Sequence, residues 1–102
     1  MRRGTTPTHT FTTDVDLSSA EVMYITYQQR SKTILEKTLD DATIEGNKVT
    51  VRLTQAETLR FSDDYASNEV KIQIRARTHD SSAWVSNVMT TTVDRLLKEG
   101  II

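Results

Sequence analysis

The run Val70-Lys71-Ile72-Gln73-Ile74-Arg75-Ala76-Arg77 puts its apolar side chains at every second position, with polar ones between them. Side chains of an extended chain repeat every two residues, so this pattern lays one face on a core and leaves Lys71, Arg75 and Arg77 in water. A helix would scatter the same residues around its circumference. An antiparallel sheet with one solvated face is the expected setting.

Other segments read in the same way. Pro7 fixes its own φ and biases Thr6 away from helix, so a first strand is expected over Thr8 to Thr13. From Glu21 to Gln29, Met23, Ile25 and Tyr27 share one side and Val22, Tyr24 and Thr26 the other, which suits a central strand. Lys32 to Lys37 alternates less cleanly, and Leu39-Asp40-Asp41 makes a turn before Thr43 and Ile44. Gly46 and Asn47 tolerate positive φ between Glu45 and Lys48, so a hairpin leads into a strand over Lys48 to Leu53.

Thr54-Gln55-Ala56-Glu57 has capping-box spacing, and Ser62-Asp63-Asp64 follows too soon for a long helix. One short helical crossover is expected there, anchored by Leu59 and Phe61. After the strand near Glu69 to Thr78, His79 to Ser82 form a connection and Ala83 to Val93 a last strand. Leu96 to Gly100 reads equally as continued strand or helical tail. With no long amphipathic helix between strands, the fold class is all-β: an immunoglobulin-like, antiparallel two-sheet sandwich of about seven strands. The 102 residues suit a single such domain, 1–102.

Composition narrows the function classes. Thirteen basic and fourteen acidic side chains leave a formal charge of -1, no global field for phosphate backbones or anionic lipid. Cysteine is absent, which removes disulfides, thiolate catalysis and sulfur-rich zinc sites. The start of the chain has no apolar stretch of a signal peptide, and no window reaches the ~20 apolar residues of a membrane span. A soluble chain is expected, and localisation is left open.

No catalytic constellation emerges. His9 and His79, the two histidines, read as solvent-exposed polar residues of an edge and a turn. Asp14 and Asp16, Asp40-Asp41 and Asp63-Asp64 invite a hard cation, yet lack the spaced ligands and central glycine of an EF-hand, and aspartate favours turns. Neither Gly-x-Ser-x-Gly nor Ser-x-x-Lys occurs. With three glycines, Gly4, Gly46 and Gly100, no phosphate-cradling loop is expected. No metal or other cofactor is expected. Lys71, Arg75 and Arg77 form a basic stripe with two readings, a solvated face that discourages edge aggregation, or a surface for single-stranded nucleic acid with Trp84 beside it as a stacking partner; the first is preferred, no nucleic-acid partner is expected, and the four residues stand as a possible interaction surface. Periodicity leaves the facing of Trp84 open.

Arg3-Gly4-Thr5-Thr6-Pro7-Thr8-His9-Thr10-Phe11, Val22 to Gln29 and Leu53 to Phe61 resemble a group of small prophage proteins of Gram-positive bacteria. Val70 to Arg77 and Ser86-Asn87-Val88 ahead of Leu96-Leu97-Lys98 are similar to that group's closing segments. The resemblance implies a non-enzymatic module acting by surface contact on a protein partner, in a phage tail or baseplate; it carries no functional residue. The alternatives are a host-directed prophage accessory protein binding a protein or glycan, and a metal-dependent enzyme assembled from the acidic turns.

Overall fold

A computed structural model describes every residue from Met1 to Ile102. Eight strands make two antiparallel sheets: β1 (Thr8–Thr12), β2 (Ala20–Gln29), β3 (Lys32–Thr38), β4 (Ala42–Glu45), β5 (Lys48–Arg52), β6 (Glu69–Thr78), β7 (Ala83–Val85) and β8 (Met89–Thr92). The smaller sheet runs β1-β5-β4. The larger runs β3-β2-β6, with β7 and β8 sharing the far edge of β6. These neighbours match the B-E-D and C′-C-F-G sets of an immunoglobulin sandwich, so the expected fold class holds. No strand flanks β1 on its other side. The chain's opening residues instead make one parallel bridge, Arg2 to Asp94 beyond β8.

The two inner faces build the core. Val70, Ile72, Ile74 and Ala76 of β6 lie beside Met23, Ile25 and Tyr27 of β2, and across from them sit Phe11, Val49 and Val51 of the smaller sheet. Each large apolar side chain buried here contributes about 1.5–3 kcal/mol. Strand β2 is central as expected, paired to β3 on one side and β6 on the other.

The crossover is the single turn α1 (Gln55–Thr58). Thr54 Oγ1 accepts from Glu57 N–H at 3.1 Å, while Glu57 Oε1 accepts from Thr54 N–H at 2.8 Å, closing the capping box. Phe61 is buried just beyond, and Leu59 half-buried. Buried Thr58 donates to Thr5 C=O at 2.9 Å and accepts from Gly4 N–H at 3.1 Å, tying the leader to the crossover. Arg3 adds hydrogen bonds to the Phe61 and Leu59 carbonyls.

Three expectations are corrected. The last strand is two strands: β6–β7 pairs sum to one register (Ala76 with Trp84) and β6–β8 pairs to another shifted by one residue (Ile72 with Met89). An extra residue at Ser86–Val88 switches which parity faces inward, so Trp84 and then Met89 and Val93 all point to the core side. Leu96 to Gly100 forms neither strand nor helix. It lies against the leader and crossover through an Arg3–Glu99 ion pair and a hydrogen bond from Leu96 N–H to Asp63 Oδ2 at 2.8 Å. Finally, His9 is half-buried and turned inward toward Tyr27.

Candidate interaction surface

Strand β6 positions the three basic residues. With Val70, Ile72, Ile74 and Ala76 buried, the pleat sends Lys71, Arg75 and Arg77 to the outer face of the larger sheet, all exposed. Register then decides their neighbours. Arg75 lies between Tyr24 of β2 and Val85 of β7; Arg77 lies between Val22 and Ala83; Lys71 lies between Gln28 and Thr90. Thr38 of β3 extends the Tyr24 row, giving Thr38-Tyr24-Arg75-Val85 across four strands. Tyr24 is 42% exposed and Val85 53%, so this row presents an aromatic ring, a guanidinium and an aliphatic side chain together. Glu69, Glu36 and Glu21 share the surroundings, with Glu21 3.8 Å from Arg77. The stripe is a mixed-charge face.

Trp84 does not join it. Its partner across the ladder is Ala76, whose side chain enters the core, so the indole lies on the inner face at the open side of the sandwich. There Trp84 Nε1–H donates to Asp14 Oδ1 at 3.0 Å. Stacking beside Arg75 and Arg77 is excluded by this facing. Tyr24 is the aromatic residue beside Arg75 on the outer face, and its position on the β2 face opposite Met23, Ile25 and Tyr27 was the available signal.

Most of the buried polar groups are joined to one another or to backbone. His9 Nδ1 is 2.8 Å from Tyr27 Oη, with the two rings tilted and 5.8 Å apart. Burial, then the N-terminal ammonium, hold the His9 pKa below its ordinary value. Burial, then the Glu57 charge, push the Tyr27 phenol upward. Lys37, on the inner face of β3, pairs with Glu57 at 2.6 Å. For Glu57, burial opposes ionisation, but the Lys37 hydrogen bond and charge and the Thr54 bonds outweigh it, leaving the pKa lowered. Gln29 donates to the Ser62 and Ser67 carbonyls and accepts from Ser62 N–H, pinning the loop after α1.

The acidic turns are backbone caps. Asp41 accepts from Thr38 N–H, Asp16 from Ser18 N–H and Asp64 from Ala66 N–H. Asp80 accepts from the Thr78 hydroxyl and Ser82 N–H, which hold its pKa down at about 2. His79 beside it is exposed, as expected. No three His, Asp or Glu side chains converge as ligands of one ion. No helix is long and apolar enough to cross a membrane. Comparison with protein-family models, with curated proteins and with solved structures finds no match.

Proposed function

We propose that this chain is a non-enzymatic structural or interaction module of a phage or prophage, associated with a tail or baseplate, which binds a protein partner through the outer face of its larger sheet. The observation that carries the reading is the Thr38-Tyr24-Arg75-Val85 row. Tyrosine and arginine dominate the energetics of protein contacts because each brings a large, partly apolar area with directional hydrogen bonds. Here they stand side by side on neighbouring strands of one sheet. The resemblance of Arg3 to Phe11, Val22 to Gln29 and Leu53 to Phe61 to small prophage proteins supplies the assembly.

Cross-linking in purified virions or induced lysates tests this. Cross-links from the outer sheet face to tail components are the expected result. Recovery with host proteins alone would replace the virion role by a host-directed one.

A further inference from the structure

A second surface lies on the open side of the sandwich, away from the outer face. Leu53 N–H donates to Pro7 C=O at 3.0 Å and Thr13 N–H to Asn47 C=O at 2.8 Å. Bonds in an antiparallel pair alternate, so Pro7, His9, Phe11 and Thr13 spend their backbone groups on β5 and its flanks. The N–H and C=O groups of Thr8, Thr10 and Thr12 point the other way, and none has a partner within the chain. They form a row of donors and acceptors spaced about 6.8 Å apart.

Beneath this edge the two sheets part. Two adjoining clefts share Phe11 and Met89; one reaches Ile72 and Met1, the other Ile74 and Trp84. The floor belongs to the larger sheet and the rim to β1. A strand flanking β1 would lie over these clefts.

The usual protections of a free edge are missing. Strand β1, Thr-His-Thr-Phe-Thr, contains no Lys, Arg, Asp, Glu or Pro. The edge strand β3 carries Lys32, Glu36 and Lys37, and the edge strand β4 carries Glu45. Charges on an edge oppose strand addition, and β1 lacks them.

We infer that β1 accepts an extended segment of another polypeptide as an added strand, whose main chain bonds Thr8, Thr10 and Thr12 while its alternate apolar side chains enter the groove over Phe11, Ile72, Met89 and Trp84. The occupant is main chain because the unpaired groups are a strand's own hydrogen-bonding pattern, which a compact apolar ligand leaves unsatisfied. This inference stands whether or not the outer sheet face binds a tail component.

The test uses the whole chain labelled with nitrogen-15 and a probe peptide of alternating threonine and valine, closed by lysine at both ends, acetylated and amidated. At millimolar peptide, amide exchange at Thr8, Thr10 and Thr12 slows by roughly tenfold or more, and the emission of Trp84, the one tryptophan, shifts to the blue. The same peptide N-methylated at every second residue, on its bonding side, loses both effects. In Thr10→Pro the lost N–H faces the open side, so the circular dichroism is retained and peptide binding falls. Unchanged exchange at those three amides, equal action of the methylated peptide, or full binding by a folded Thr10→Pro variant would each overturn the inference. So would protection that rises with protein concentration alone, which assigns the edge to a second copy.

Discussion

His9 shows how one side chain's surroundings reverse a reading made from its neighbours. In sequence it sits among threonines, which argues for water; in the fold it shares the inner face of β1 with Phe11 and meets Tyr27 from the opposite sheet. Nothing local specifies a partner 18 residues away in another layer. Its lowered pKa has a sign. The folded state prefers neutral imidazole, so between the lowered value and 6.5 the unfolded chain binds more protons. The His9 contribution is complete above 6.5 and is lost as pH falls below it. An imidazole titration by NMR should place His9 below 6.5, and His9→Phe should flatten the loss of melting temperature between about pH 7 and pH 5. Tyr27→Phe keeps the ring packing and strands the His9 nitrogen, costing about 1–2 kcal/mol in denaturant unfolding.

Lys37 and Glu57 make the complementary case. Alternation along β3 was hard to read because its inner face carries Leu35 and then a lysine, whose charge is met by a carboxylate from the crossover. Lys37→Ala leaves Glu57 without its cation in a largely enclosed place and should cost about 2–3 kcal/mol, while Lys37→Met with Glu57→Gln should recover most of that. Chemical denaturation of the single and double variants measures it. The Glu57 contribution is present above 4.5 and disappears as acid protonates the carboxylate below that value.

At the scale of elements, strands with strict alternation were legible and strands with a register break were not. The face of β6 follows directly from Val70 to Arg77, and the capping box of α1 from Thr54 and Glu57. The β7–β8 break was hidden because one inserted residue makes Trp84 and Met89 face the same way despite their odd spacing. Ser86 repairs the ladder there. Its N–H donates to Ile74 C=O at 2.8 Å, its hydroxyl accepts from Ile74 N–H at 2.9 Å, and Gln73 Nε2 donates to the Ser86 carbonyl at 3.1 Å. Ser86→Ala therefore leaves a buried N–H without its acceptor and should lower stability by about 1–3 kcal/mol, read from the shift in the unfolding midpoint.

The β2–β3 hairpin carries strain that its sequence does not advertise. Gln29 pairs with Lys32, and the two residues between them, Arg30 and Ser31, both have positive φ, at 50° and 63°. A tight turn of this kind favours Asn-Gly, since other side chains crowd the left-handed region. Arg30→Asn with Ser31→Gly should raise stability by about 1 kcal/mol, or roughly 4–8 °C in melting temperature for a chain of this size. Calorimetry of the double variant checks it. The β4–β5 turn is of another kind, with positive φ only at its first central residue, Gly46 at 60°.

The molecule as a whole divides its residues between two tasks. The inward-facing polar groups, His9, Tyr27, Lys37, Glu57, Gln29 and Thr58, hold layers, crossover and leader to one another. The outward-facing ones leave a mixed-charge sheet face centred on Tyr24 and Arg75 and an unpaired edge at β1. The fold class was readable because it rests on periodicity, which each strand carries by itself. The surface was only half readable: Lys71, Arg75 and Arg77 were placed by their own strand, whereas Tyr24 and Trp84 exchange roles through pairings made across the sheet.

A photo-reactive phenylalanine analogue at position 24 asks whether the outer sheet face meets a partner. A second chain with the same analogue at Arg52, on the smaller sheet, serves as the reference. Both chains should melt within a few degrees of the parent, since neither side chain is buried. Light should capture a tail or baseplate component from position 24 and not from position 52. Capture from position 52 alone, or a position-24 chain that folds normally and captures no tail or baseplate component in assembled particles, would contradict it.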